Sequence, residues 1–217
     1  MSDFPARRTM MVDTQVRPSD VTSFPIIDAM LSVPREKFVP THLREAAYAG
    51  EILDFGNGRG LIDPRTFAKI LEAADIGPTD LVLDIGCLHG YSAAVAAKMA
   101  EAVIAIEDTA EMCAEAEAML SEAGIDNVAV LEGSLSAGAP KHQPYDVILI
   151  EGAVSEVPDA IIDQLKEDGR IVAVFVDGHL GTVKTGYKSD QGVTWRYAFN
   201  AGAPVLPGFE RSPEFSF

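Results

Sequence analysis

Two acids frame a glycine-bearing segment in the middle of the chain. Asp84 and Glu107 each end a short run of Val, Leu, Ile and Ala, and Glu107 lies twenty-one residues after Gly86. Glycines within 86–90 let the backbone turn tightly and let a ligand press against it. The helix predicted to begin at Tyr91 offers free N–H groups to a carboxylate or phosphate. Because an acid on the neighbouring strand can accept both hydroxyls of a ribose, the pattern predicts a site for a nucleoside-bearing cofactor.

The spacing of the glycines separates two cofactors. A dinucleotide site with the pattern Gly-x-Gly-x-x-Gly needs glycine at positions 88 and 91, where this chain has Leu88 and Tyr91. S-adenosylmethionine has no pyrophosphate and tolerates a looser bend, and Asp84 supplies an acid for its ammonium group. We therefore predict S-adenosylmethionine as the cofactor. A nicotinamide-binding oxidoreductase is the alternative, and a third possibility is that the glycines serve only helix–strand packing.

Alternating strands and helices position these residues. Near-continuous Val, Ile and Leu runs joined by helices are typical of parallel strands that are covered on both faces, which predicts a doubly wound α/β sheet. The chain then ends in a hairpin, because 181–188 and 193–200 flank the turn sequence Ser-Asp-Gln-Gly. The predicted strands are 81–85, 103–106, 128–131, 145–150 and 170–175, and the predicted helices between them are 91–100, 109–123 and 158–165.

Three zones are predicted along the chain. Residues 1–55 are an arm with short helices at 20–31 and 42–47, packed on the main domain. Residues 56–203 form the α/β domain, beginning with a glycine-rich loop over 56–63 and a helix that Pro64 opens. Residues 204–217 are an irregular tail rich in proline and phenylalanine, and we expect it to be unattached rather than docked.

Composition narrows the classes of partner. Thirty-three acids against seventeen bases give a formal charge of −16, which argues against nucleic-acid binding and against an anionic membrane surface. No apolar stretch reaches the eighteen residues of a membrane span, and the N-terminus lacks an apolar signal core. Cys87 and Cys113 form no Cys-x-x-Cys pair. We therefore expect a cytoplasmic protein with no disulfide framework and no metal site.

Several segments together resemble the protein-L-isoaspartate O-methyltransferase family over residues 30–176. The sequence Val-Pro-Arg-Glu-Lys-Phe-Val-Pro at 33–40 is similar to the N-terminal signature, and Gly-Asn-Gly at 56–58 before Pro64 has the spacing of the substrate loop. Segment 82–91 resembles the methyl-donor loop, and 145–148 and 164–170 resemble a later strand and helix. The resemblance implies a mostly parallel seven-stranded, Rossmann-like methyltransferase sheet. It also implies S-adenosylmethionine as cofactor and repair methylation of an isoaspartyl carboxylate.

The substrate loop departs from the family pattern Gly-x-Gly-Gln-Thr-Ile-Ser-x-Pro. Arg59, Gly60 and Ile62 stand where the family has Gln, Thr and Ser, and that serine is the residue usually assigned to the active site. A carboxylate acceptor needs hydrogen-bond donors, and Ile62 supplies none. Arg59 is the candidate replacement, because its guanidinium can clamp a carboxylate through two parallel hydrogen bonds.

The cofactor side departs less. Leu88 replaces the middle glycine of the donor loop, and the family's Gly-Asp-Gly after the third strand reads Gly133-Ser134-Leu135. Ser134 can still offer a hydroxyl and an N–H to the adenine edge. Glu151 replaces a small residue after the fourth strand, where it would repel an acceptor carboxylate or serve as a base for another acceptor.

The predicted function is S-adenosylmethionine-dependent O-methylation of isoaspartyl groups in a protein or peptide. The alternative within the same family is a cofactor-binding paralogue without isoaspartate activity. No catalytic residue is assigned, and the oligomeric state is left open. The predicted cofactor-binding residues are Asp84, Gly86, Cys87, Gly90, Tyr91, Glu107, Ser134, Leu135 and Glu151, and the predicted substrate-loop residues are Asn57, Arg59, Ile62 and Asp63.

Overall fold

A computed structural model of the chain describes residues 3–178 and 180–210, so the tail prediction for 211–217 lies outside the described residues. The described strands are β1 Leu53–Gly56, β2 Arg59–Leu61, β3 Leu81–Ile85, β4 Ala102–Glu107, β5 Val128–Glu132, β6 Tyr145–Val154, β7 Leu165–Asp177, β8 Leu180–Ser189 and β9 Gly192–Asn200. The described α-helices are α1 Phe4–Met11, α2 Phe24–Ser32, α3 Pro64–Ala74, α4 Tyr91–Ala97, α5 Ala110–Glu122 and α6 Asp159–Ile162. Among these residues, no helix combines the length and the apolar character that a membrane crossing requires.

Seven strands form one sheet in the order β5-β4-β3-β6-β7-β8-β9. The pairs among β3 to β7 are parallel, whereas β8 and β9 add an antiparallel hairpin. The chain runs outward from β3 to β5 and then returns to place β6 on the other side of β3. The sheet therefore has its topological switch point between the carboxyl ends of β3 and β6, where open α/β folds bind ligands. The predicted doubly wound sheet and its terminal hairpin are confirmed.

Two predicted helices are shorter in the structure. The helix expected over 158–165 ends at Ile162, because Leu165 already pairs with Tyr145 in the β6–β7 ladder. The helix expected over 91–100 ends at Ala97. These differences shorten the crossover helices without changing the strand order.

The N-terminal zone packs as a helical layer, with shorter helices than predicted. The helix expected over 20–31 begins only at Phe24, and the piece expected at 42–47 is a 3-10 turn over Thr41–Ala46. Arg35 ties this layer to the sheet domain, because it is fully buried and donates hydrogen bonds to the carbonyls of Ala47 at 2.8 Å and Ile62 at 2.7 Å.

The segment predicted as a loop over 56–63 is instead part of a β-hairpin. β1 and β2 pair antiparallel, and Asn57 and Gly58 form the turn with φ of +53° and +73°. An Asn-Gly pair with both residues at positive φ suits a two-residue hairpin turn. The loop prediction was wrong because the residues on either side of the Asn-Gly turn were not interpreted as strands.

The tail docks on the sheet as far as it is described. The carbonyl of Pro204 accepts a hydrogen bond from the Ala153 N–H at 2.7 Å, and the Leu206 N–H donates to the Ala153 carbonyl at 2.9 Å. Leu206 and Phe209 are 2% and 1% exposed. The expectation of an unattached tail is therefore wrong for 204–210, because these two side chains have a place in the core.

Candidate functional site

The site lies at the switch point and begins with Asp84, the penultimate residue of β3. Its side chain is fully buried, and its Oδ2 accepts a hydrogen bond of 2.6 Å from the Ser92 hydroxyl on α4. Its other oxygen, Oδ1, has no hydrogen-bond partner in the part of the chain that the structure describes. Burial raises the pKa of the Asp84 carboxyl to about 7. The hydrogen bond from Ser92 has a smaller, lowering effect on this pKa, and the charge of Glu107 raises it.

The glycine bend after β3 connects Asp84 to helix α4. Gly86 and Gly90 have φ of +84° and +90°, values that side-chain-bearing residues rarely adopt. Leu88 also has positive φ, at +54°, and its side chain is buried. Leu88 thus holds a backbone conformation that glycine adopts more easily. Its N–H points at the next strand and donates to Glu107.

Glu107, the predicted ribose-binding acid, ends β4 and is fully buried. Its two oxygens nevertheless already have partners within the chain. The Arg59 guanidinium donates to Oε1 at 2.6 Å and to Oε2 at 3.0 Å, and Leu88 and Asp108 add main-chain N–H donors. Arg59 is 3% exposed, so the ion pair is excluded from water. Arg59 therefore clamps Glu107, not an acceptor carboxylate.

Glu151 lies within β6, directly after the residue that pairs with Ile85 of β3. Its side chain is 5% exposed, and Oε1 has no hydrogen-bond partner among the described residues. Burial raises the pKa of the Glu151 carboxyl well above its usual range. The charge of Asp84 raises it further, whereas Arg35 lowers it. Burial therefore favours the protonated form of Glu151.

The docked tail covers one side of the site, and nothing in the sequence indicated this contact. Leu206 lies against two glycines of the site. A Cβ added to Gly86 would lie 3.2 Å from Leu206 Cδ1 and 3.3 Å from Arg59 Nη2, and one added to Gly152 would lie 2.5 Å from Leu206 Cγ. Leu206 thus fills the notch that the two glycines leave at the switch point.

The remaining predicted cofactor residues are spread around this centre. Cys87 is a packed thiol whose pKa is raised by burial. Tyr91 turns into the N-terminal layer, where the Arg35 guanidinium lies 4.7 Å from its ring centroid. Leu135 is buried, whereas Ser134 is exposed, with its hydroxyl 3.2 Å from that of Ser136.

The predicted substrate-loop residues do not converge on one point. Asn57 is exposed at the tip of the β1–β2 hairpin. Ile62 is 1% exposed, so its position offers no donor from the side chain. Asp63 caps α3, because its Oδ1 accepts a hydrogen bond of 3.0 Å from the Thr66 N–H. Of the four, only Arg59 reaches the switch point.

Sequence reasoning missed Ser92 and Leu206. Ser92 had a usable signal, since a hydroxyl two residues after Gly90, in the first turn of the helix, can reach back to the strand-end acid. Leu206 had none, because it stands in a proline-rich stretch 120 residues beyond Gly86.

The residues at the switch point match S-adenosylmethionine in chemical type, but side chains of the protein itself occupy the space that the cofactor would need. The unpartnered oxygens of Asp84 and Glu151 suit a cation, yet Glu107 is paired with Arg59 and the Gly86 bend is covered by Leu206. Three cavities of about 630, 560 and 490 Å³ open elsewhere on the described surface, and none of these three is lined by the residues named above as the site's centre. In this arrangement the site does not fit the cofactor.

Sequence comparisons give one consistent family. The family described as "Protein-L-isoaspartate(D-aspartate) O-methyltransferase" matches residues 7–196. A protein-L-isoaspartate O-methyltransferase of Koribacter versatilis is 38% identical over 172 residues, which are 79% of this chain and 78% of that protein. One from Methylorubrum extorquens is 40% identical over 165 residues, covering 76% and 72%.

Structural comparisons point the same way. A solved protein-L-isoaspartate O-methyltransferase superposes with a TM-score of 0.78 at 26% identity, covering 94% of this chain and 65% of that chain. A structure from Plasmodium falciparum, solved in complex with S-adenosyl-L-homocysteine, also gives a TM-score of 0.78. It covers 95% of this chain and 99% of that one, and at 16% identity the likeness shows the fold alone.

Proposed function

This chain belongs to the protein-L-isoaspartate(D-aspartate) O-methyltransferase family, and from that premise we propose that it is an S-adenosylmethionine-dependent methyltransferase acting on isoaspartyl carboxylates of proteins or peptides. The observation that carries the proposal is the convergence of Asp84, the Gly86 bend and Glu107 at the switch point of the sheet. The resemblance of segment 82–91 to the family's methyl-donor loop implies a cofactor role for Asp84 and Gly86. NADH binding is not expected, because the bend lacks the dinucleotide glycines.

Burial of Glu151 weakens one objection to a carboxylate acceptor. An ionised Glu151 would repel an isoaspartyl group. Burial raises the pKa of the Glu151 carboxyl well above its usual range, which favours the neutral form and reduces this repulsion. A carboxylate acceptor also needs no general base, since it is already ionised at neutral pH.

A surface cavity beside the hairpin supports a peptide as the acceptor. It has a volume of about 490 Å³, and its lining includes Arg44, Phe55, Asn57 and His89. An arginine offers a charged donor and Phe55 an apolar face, a mixture suited to peptide side chains and backbone. The net charge of −16 favours such an acceptor over a nucleic acid. The two buried free thiols, Cys87 and Cys113, favour a reducing compartment such as the cytoplasm.

In the second candidate function, the protein is a family member that binds the cofactor but does not methylate isoaspartyl groups. The specific observation in its favour is the loss of acceptor donors. Ile62 stands where the family has serine, and Arg59 is committed to Glu107. Such a protein would methylate another acceptor or act as a partner protein.

Methyl transfer to a synthetic peptide tests the two candidates. Labelled S-adenosylmethionine is incubated with the protein and either an isoaspartyl peptide or the same peptide with ordinary aspartate. The first candidate expects base-labile label on the isoaspartyl peptide only. A Gly86→Val variant, purified in the same way, is the inactive control, because a valine side chain cannot fit the bend. Any label obtained with this variant therefore comes from a contaminating host enzyme. Absence of label above that variant contradicts isoaspartate activity and favours the second candidate.

A further inference from the structure

We propose that this chain closes its own methyl-donor pocket, with Arg59 in the place of the cofactor ribose on Glu107 and Leu206 in the space beside Gly86. The inference concerns regulation of the site described above and rests on the proposed function. The cofactor then competes with Arg59 for the Glu107 carboxylate and with Leu206 for the space beside Gly86. S-adenosylmethionine or its demethylated product binds only to those molecules in which both side chains have moved away.

Saturation of Glu107 is the first step of the argument. Oε1 accepts from Arg59 Nη2 and the Leu88 N–H, and Oε2 accepts from Arg59 Nη1 and the Asp108 N–H at 3.2 Å. A carboxylate has about four acceptor positions, so no position remains for a hydroxyl. Two of these four bonds come from one movable side chain. Release of Arg59 therefore restores the two positions that the two ribose hydroxyls need.

Leu206 provides the second step. Its side chain lies within 3.2 Å of the point where a Cβ of Gly86 would stand, and within 2.5 Å of the same point at Gly152. Glycines at such places normally admit a ligand to the backbone. Here an apolar side chain of the same polypeptide takes that approach, held by the hydrogen bond between its N–H and the Ala153 carbonyl at 2.9 Å.

Both closing groups lie on elements that can move without opening the main sheet. Arg59 belongs to the two-stranded sheet of β1 and β2, which forms no ladder with the seven strands in the part of the chain that the structure describes, and only its side chain has to leave Glu107. Leu206 belongs to the tail, which is joined to β6 by an isolated bridge between Ala153 and Val205 and to the following residue by the hydrogen bond from the Ser155 N–H to the Phe209 carbonyl. A terminal segment held by so few main-chain hydrogen bonds opens locally at lower free-energy cost than the ladders of the main sheet.

Closure of this kind weakens cofactor binding by the inverse of the open fraction. If about one molecule in a hundred is open, the apparent Kd rises about a hundredfold. Truncating the side chain of Arg59 or of Leu206 raises the fraction of open molecules. The apparent Kd then falls by the factor by which that fraction has risen.

Calorimetric titration with S-adenosyl-L-homocysteine measures this competition. The variants are Arg59→Gln, which places the residue of the family pattern at this position, and Leu206→Ala, which keeps the ion pair and the main-chain hydrogen bonds. Arg17→Gln is the matched control, since it removes an arginine from an exposed ion pair with Asp13. We expect both site variants to bind at least about tenfold more tightly than the wild type and the control to match the wild type.

Hydrogen exchange gives a second readout that does not depend on either variant folding well. In the wild type, saturating S-adenosyl-L-homocysteine should remove protection from the Leu206 amide, which is hydrogen-bonded to Ala153 in the closed form. Retained protection at saturation overturns the closure.

The outcomes separate the closure from the proposed function. Wild-type binding that equals both site variants overturns the closure and leaves the methyltransferase function standing. Tighter binding by the variants, with no methyl transfer to the isoaspartyl peptide by any of them, supports the closure and contradicts the function. Absence of binding by every folded form overturns both.

Discussion

Asp84 and Glu151 lie on adjacent parallel strands at the switch point, each buried and each with one carboxyl oxygen that has no hydrogen-bond partner within 3–178 and 180–210. Within the same residues, neither carboxylate forms an ion pair. Arg35 lowers the pKa of Glu151, but its hydrogen bonds go to the Ala47 and Ile62 carbonyls, and Arg59 is engaged by Glu107. Burial raises the pKa of both carboxyls, so the stability of the protein should depend on pH.

The first prediction concerns that pH dependence. The pKa of Asp84 is raised to about 7 in the folded chain, so the folded state binds a proton that the unfolded state has lost above about pH 4. Stability is therefore highest below pH 4 for this group and falls as pH rises to about 7. The free energy of unfolding, measured by urea denaturation, should drop by roughly 1.4 kcal/mol per pH unit between pH 5 and pH 7.

An Asp84→Asn variant should lose that part of the pH slope, because an amide does not ionise. Glu117→Gln is its charge-matched control, since Glu117 is exposed on α5 and the substitution also removes one negative charge. Equal slopes for Asp84→Asn and Glu117→Gln would show that Asp84 does not titrate in this range.

The second prediction concerns the buried Arg59–Glu107 pair. Arg59→Gln leaves the Glu107 charge buried and unpaired, which typically costs about 3–5 kcal/mol of unfolding free energy. Adding Glu107→Gln should recover most of this loss, because two neutral amides replace the lone charge. Arg17→Gln, at the exposed pair, should cost less than about 1 kcal/mol. A double variant as unstable as the sum of its single changes would contradict the coupling.

Sequence periodicity was enough to predict the sheet and the strand-end positions of Asp84 and Glu107, because buried parallel strands consist almost wholly of Val, Ile, Leu and Ala. It was not enough to predict the partners of those acids. The spacing of residues along the sequence does not show with which carboxylate a distant arginine such as Arg59 forms an ion pair. Docking of Leu206 depends on a notch formed by Gly86 and Gly152, which exists only in the folded chain.

The hairpin β1–β2 is a different case, since its signal was present. Asn57-Gly58 between Leu53 and Leu61 is the sequence of a two-residue hairpin turn. Three glycines in five residues hid that signal, and Arg59 was consequently placed in an open loop facing an acceptor. The correct hairpin turns Arg59 inward, toward the end of β4.

The third prediction concerns the seat of the tail. A Cβ at Gly152 would lie 2.5 Å from Leu206 Cγ and 3.1 Å from the Pro204 carbonyl oxygen, so Gly152→Ala should expel the tail from the sheet. Limited proteolysis should then cleave within 204–210 faster than in the wild type. Gly202→Ala is the control, because among the described residues no atom outside its chain neighbours lies within 4 Å of the added Cβ there. Unchanged cleavage in Gly152→Ala would mean that Leu206 can shift while the tail stays docked.

The fourth prediction concerns Arg35, which joins the N-terminal layer to the site. Its guanidinium donates to the Ala47 and Ile62 carbonyls and lies over the Tyr91 ring, and burial lowers its pKa. Lysine cannot reproduce this planar set of contacts. Arg35→Lys should therefore lower the free energy of unfolding by about 2–4 kcal/mol, since two buried carbonyls lose charged donors.

Arg44→Lys is the control for this change, because Arg44 is exposed and the same substitution there removes no buried hydrogen bond. We expect its unfolding free energy to stay within about 0.5 kcal/mol of the wild type. If Arg35→Lys were equally mild, the ammonium would be reaching the same carbonyls, and the planar contact with Tyr91 would contribute little. The change in near-ultraviolet circular dichroism caused by Arg35→Lys, measured with Tyr91 present and again in a Tyr91→Phe background, distinguishes the two cases, because only a change that depends on Tyr91 reports loss of the guanidinium from its ring.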